Sequence, residues 1–110
     1  MFAALGRNSR MRFDGVFTTS SASSPVTSAT RTCIVGGTVR FNITVEFFDL
    51  EYSKNGGAWT DITEGLTVAF AVTDTLAVRD TLPSASDQSI FTMTDNAKSK
   101  LIESVTLTKL

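Results

Sequence analysis

Thr38-Val-Arg-Phe-Asn-Ile-Thr-Val-Glu-Phe47 sets Val39, Phe41, Ile43, Val45 and Phe47 between Thr38, Arg40, Asn42, Thr44 and Glu46. In an extended chain successive side chains point to opposite faces, so this alternation makes one apolar and one polar face. It predicts an antiparallel strand with one side in a core and the other in water. At Phe47-Phe48 the phase slips, and Phe48, Leu50 and Tyr52 take over the apolar side. A one-residue slip inverts every side chain, which predicts a β-bulge or a crossing to a second sheet.

Downstream the same pattern recurs. Asn55-Gly56-Gly57 tolerates the positive φ of a tight hairpin, with Tyr52 and Trp59 flanking it on paired strands. After a turn at Glu64-Gly65, Leu66, Val68, Phe70 and Val72 alternate with smaller residues, and Leu76, Val78 and Leu82 continue as a shorter strand. Pro83 to Gln88 reads as a loop, because proline has no amide to donate to a ladder. Ile90–Thr94 is a strand with Phe91 and Met93 on one face, and Asp95–Ser99 is a turn. Ala97, Leu101 and Ile102 also fit a short helix, but the Thr-rich end favours strand. The 17 Thr and 12 Ser tilt other ambiguous segments the same way, since both compete with helical hydrogen bonding.

Upstream, Met11, Phe13 and Phe17 share a face, so Met11–Thr19 is a further strand candidate. Ser20–Thr32 offers only Ala22, Val26 and Ala29 as apolar residues, too few to offset its ordering entropy. The expectation is therefore an all-β antiparallel sandwich, Ig-like or jelly-roll-like, over residues 33–110, preceded over residues 1–32 by a strand and an extended Ser/Thr-rich arm or linker. The arm, Met11–Thr32, would lie on a neighbouring subunit and add backbone bonds to an open sheet edge. Phe2, Leu5, Phe13 and Phe17 would be its apolar anchors, and Arg7, Arg10 and Arg12 its basic contacts.

The chemistry-bearing residues are sparse. With 110 residues there is room for one domain, and no histidine is present, which removes the usual general base and the common metal ligand. No phosphate-binding or dinucleotide loop occurs. Cys33 is alone, so neither an intrachain disulfide nor a cysteine zinc site can form, and it reads as a buried apolar residue. Glu46, Asp49 and Glu51 lie close together, but alternation puts Glu46 on a solvated face, and no calcium loop surrounds them. The expectation is a chain that is not an enzyme and holds no cofactor, no metal and no small-molecule substrate. Nucleic acid is an unlikely partner at a net charge of −1. The short apolar stretch Met1–Leu5 gives way to Arg7, Arg10 and Arg12, unlike a secretory signal, and no run is long enough for a membrane helix.

Tyr52-Ser-Lys-Asn-Gly-Gly-Ala-Trp-Thr-Asp-Ile62 resembles a hairpin of bacterial and phage Ig-like or fibronectin-like domains. The wider layout, rich in Thr and Ser, without histidine and with one cysteine, resembles small accessory proteins of tailed-phage virions. That resemblance implies a capsid decoration or cement protein that is made in a host cytoplasm, ends in the virion, and binds the major capsid protein or copies of itself. The alternatives are a tail, neck or coat subunit, and a receptor- or carbohydrate-binding sandwich using Trp59 or Tyr52. No functional residue carries over from the resemblance.

Overall fold

A computed structural model of the chain describes residues 10–110, and these form an all-β sandwich. The strands in chain order are β1 (Arg12–Phe13), β2 (Thr19–Ser21), β3 (Val26–Thr27), β4 (Arg31–Val35), β5 (Gly37–Val45), β6 (Leu50–Lys54), β7 (Thr60–Asp61), β8 (Thr67–Phe70), β9 (Thr75–Asp80), β10 (Gln88–Asp95) and β11 (Lys100–Lys109). One sheet runs β1-β4-β9-β6-β7, with β3 also on β9. The other runs β2-β11-β10-β5-β8. Taking β1, β4, β5, β6, β9, β10 and β11 as A to G gives A-B-E-D against G-F-C, the constant-type immunoglobulin order. The strand β8, between D and E in sequence, is added beside C. This order decides for the Ig-like layout over the jelly roll.

The core is drawn from both inner faces. Val39 and Phe41 of β5, Phe91 and Met93 of β10, and Val105 and Leu107 of β11 meet Cys33, Leu50, Leu76 and Val78 of the facing sheet. Phe41 lies at the centre, its ring 6.0 Å from Tyr52 and 5.9 Å from Phe91. Gly36 is the only residue between β4 and β5, where the chain changes sheets. A Cβ there would meet the Phe70 carbonyl at 2.9 Å, and one at Gly37 would meet Met11 Cβ at 3.0 Å. The glycine pair therefore serves close approach between segments.

The slip at Phe47-Phe48 is a crossing: β5 belongs to one sheet and β6 to the other. Leu50 is buried and Tyr52 packs against the core, whereas Phe47 and Phe48 are exposed in the connection, against expectation. Leu82 is likewise exposed, because β9 ends at Asp80. The last segment is strand throughout, paired with β10 from Gln88↔Thr108 to Asp95↔Lys100.

The largest correction concerns the arm. Its described part is extended, but it lies on this chain's own sheets. The strand β1 pairs with β4, β2 pairs in parallel with β11, and β3 pairs with β9. Met11, Phe13, Phe17 and Val26 are core residues of the sandwich, so residue 32 marks no boundary of the fold. Phe13 packs edge-to-face on Phe17 at 5.2 Å and on Phe70 at 5.3 Å, which ties the two sheets together. Carboxylates from later strands hold the segment down. Glu103 accepts the Phe17 and Thr18 amides and the Thr18 hydroxyl, Asp95 accepts the Met11 amide at 2.9 Å, and Arg31 Nε donates to the Val16 carbonyl at 2.8 Å. The short strands β1 and β2 thus close the sheet edges that the arm was expected to extend on a neighbour.

Candidate functional site

Of the residues expected to bind a partner, Phe2, Leu5 and Arg7 lie outside the described residues. Arg10 and Arg12 are exposed, while Phe13 and Phe17 are buried and not available as anchors in a neighbour. The expected site is therefore not assembled on one surface among the described residues. Three other features are.

The first is an apolar end. Phe47 and Phe48 in the β5–β6 connection, Leu82 in the β9–β10 connection and Leu110 are 41–64% exposed. The Thr81 amide donates to the Asp49 carbonyl, and the Leu110 amide to the Ser21 carbonyl. Phe48 adopts φ 84°, a left-handed conformation that costs a bulky residue free energy and keeps the ring outside. Sequence reasoning missed these side chains because alternation assigned Phe47 and Phe48 to inner faces.

Beside this end, Glu46, Asp49, Asp61 and Glu64 rim a cavity of about 620 Å³ over Ile43, Leu50 and Ile62. Two of the carboxylates are spent on the backbone. Glu46 accepts the Leu50 amide, and Glu64 accepts Asn42 Nδ2 at 2.7 Å and the Ile43 amide at 2.6 Å. The Asn42 and Ile43 bonds hold the Glu64 carboxyl below its ordinary range. Glu51 does not join them: it points to the other side of β6, into an ion pair with Arg79 at 2.7 Å. Among the described residues no group of three or more acidic or cysteine side chains is placed to hold a metal ion.

Inside the same end, Asp80 is fully buried on the inner face of β9. Its Oδ2 accepts the Ser89 hydroxyl at 2.5 Å, and its Oδ1 has no partner. Burial pushes its pKa up, and the negative charges of Glu46, Asp87 and Asp49 push the same way, against the Ser89 bond. A raised folded-state pKa contributes stability that is full below the unfolded value of about 3.9 and is lost as pH rises through the folded one. Asp80→Asn is therefore expected to raise the melting temperature at pH 7 and to flatten the decline that sets in as pH rises above the unfolded carboxyl value. Parallel melting curves for both proteins that keep the wild-type slope would refute this assignment.

The third feature lies on the outer face of the β9 sheet. In β9, Leu76, Val78 and Asp80 face the core, so Thr75, Ala77 and Arg79 face out. Between β3 and β4 the ladder to β9 is interrupted, and Ser28 bridges the gap, its amide donating to the Val78 carbonyl and its hydroxyl accepting the Val78 amide. The hairpin after β6 folds over this face. Asn55 and Gly56 take positive φ at its tip, and the Asn55 side chain accepts the Thr75 amide and donates to Asp74. The strands resume pairing only at Tyr52↔Thr60, so Tyr52 and Trp59 do not face each other as expected. Tyr52 packs inward, whereas the Trp59 ring lies outside under the Arg79 guanidinium at 4.1 Å. A cavity of about 550 Å³ results, lined by Trp59, Thr27, Thr30, Ser53, Asn55, Gly56, Gly57, Thr75 and Ala77.

Cys33 is buried as expected. Its thiol donates to the Val35 carbonyl, and burial, with Asp74 second, pushes its pKa up, which leaves it a poor nucleophile. No helix among the described residues is long and apolar enough to cross a membrane.

Fold and surface together define a class: an Ig-order β-sandwich whose distinguishing features are an apolar end and two surface cavities. No protein-family model, curated protein or solved structure matches this chain.

Proposed function

We propose that the chain is a non-enzymatic structural subunit of a virus particle, one that decorates or cements a capsid by packing against the major capsid protein and against copies of itself. The observation that carries this reading is the apolar end, where Phe47 and Phe48 of the β5–β6 connection are exposed and the Thr81–Asp49 backbone bond brings the exposed Leu82 alongside. Clustered exposed apolar residues are costly in water and mark contact surfaces, whereas single ones are ordinary. A net charge of −1 leaves little repulsion between neighbouring copies. The sandwich acts as a rigid block in this reading, and repeated weak contacts add up through symmetry. A tail, neck or coat subunit would use the same surface at another place in the particle.

An antibody against the purified chain, applied to virus particles from the source culture, is expected to label capsids at regular positions. Label confined to tails or necks moves the subunit there, and particles without label overturn the virion reading. Light scattering on the purified chain is expected to show a defined oligomer that the Phe47→Ser, Phe48→Gly double variant loses without losing its fold. A monomer at every concentration would sink packing against copies of itself.

A further inference from the structure

We propose that the cavity on the outer face of the β9 sheet is a carbohydrate site, which takes one neutral pyranose ring stacked on Trp59. The proposal rests on a different surface from the assembly reading and stands independently of it. The chain's single tryptophan is outside the core, although burying an indole inside would contribute more to folding than any other side chain. It is instead held as a wall. Arg79 covers one side of the ring at 4.1 Å, and Arg79 is itself fixed to Glu51 by two contacts at 2.7 and 2.9 Å. The orientation of the ring is therefore set before any ligand arrives, which lowers the entropy lost on binding.

Trp59 lines the cavity, whereas Arg79, whose guanidinium covers one side of the ring, does not. The negative face of an indole attracts the weakly positive C–H bonds on the flat side of a sugar ring. The remaining lining carries hydrogen-bonding groups without charge. The hydroxyls of Thr27, Thr30 and Thr75 make no hydrogen bond to another described residue and are free to meet ligand hydroxyls. No charged side chain lines the cavity, which disfavours phosphates and carboxylates, and the hydroxyl groups disfavour a purely apolar ligand. The small side chain of Ala77 forms the floor and leaves the depth that a ring requires, within a volume typical of small-ligand sites.

The test is a titration of the isotope-labelled full chain with the methyl glycosides of glucose, galactose and mannose and of N-acetylglucosamine. It runs to about 50 mM, enough to register dissociation constants in the millimolar range. The expected result is saturable shifts, with at least one sugar, at the Thr30, Asn55, Gly56 and Gly57 amides and the Trp59 indole. Trp59→Ala is expected to weaken binding about tenfold or more, and Trp59→Phe less. Ala77→Leu, which fills the floor and leaves Trp59 in place, is expected to abolish binding and guards against a folding defect in the tryptophan variants. No saturable shift at these residues with any of the four sugars, or shifts that survive Trp59→Ala undiminished, overturns the proposal. Neither result touches the assembly reading, whose test uses variants at Phe47 and Phe48.

Discussion

A shortened chain that begins at Arg31 is expected to be unfolded. It lacks Met11, Phe13, Phe17 and Val26, all buried in the core. Burying each such side chain contributes about 1.5–3 kcal/mol, so the four together amount to about 6–12 kcal/mol. That is comparable to the whole stability of a domain this size, about 5–15 kcal/mol. The loss does not stop at transfer energy. Glu103 and Asp95 would give up their amide partners, and β11, β4 and β9 would each lose a neighbour. The expected outcome is a collapsed amide spectrum and no cooperative melt. A dispersed spectrum from the shortened chain would show that the first three strands are an accessory and not part of the core.

Phe41→Ala is the second large effect expected, a loss of about 3–5 kcal/mol. Phe41 is fully buried at the middle of β5, between Tyr52 of the facing sheet and Phe91 of the neighbouring strand. Its removal leaves a cavity that two sheets fixed by their own ladders cannot close. Chemical denaturation followed by Trp59 emission measures it, since Trp59 lies outside the mutated core and reports the loss of β9 through Arg79. A loss under about 1 kcal/mol would mean that the sheets collapse around the site, contrary to this packing.

The two predictions concern residues with different histories in the sequence. Phe41 was legible, because ten residues of strict alternation leave one phase for the core. Phe13 and Phe17 also read as one apolar face, but nothing local said whose core they would enter. A sparse segment such as Ser20–Thr32 cannot bury enough surface by itself. It is ordered by partners distant in the chain: Glu103 is 86 residues from Phe17, and Asp95 is 84 from Met11. Contacts at that separation leave no periodic trace. The apolar end escaped notice for a related reason. Alternation is a rule for strands, and Phe47, Phe48 and Leu82 fall where strands have ended.

The sequence by itself determined the β class, the main strands from β5 to β11, the hairpin tip at Asn55-Gly56 and the phase slip after β5, because each depends on side-chain period or on backbone freedom within a few residues. Only the tertiary structure decided that residues 12–27 close this chain's own sheets, that the strand order is immunoglobulin-like, and that Tyr52 turns inward while Trp59 forms the wall of an outer cavity. Those outcomes depend on which edges and faces meet across the whole chain, and the free energy that selects them is a property of the assembled core rather than of any segment within it.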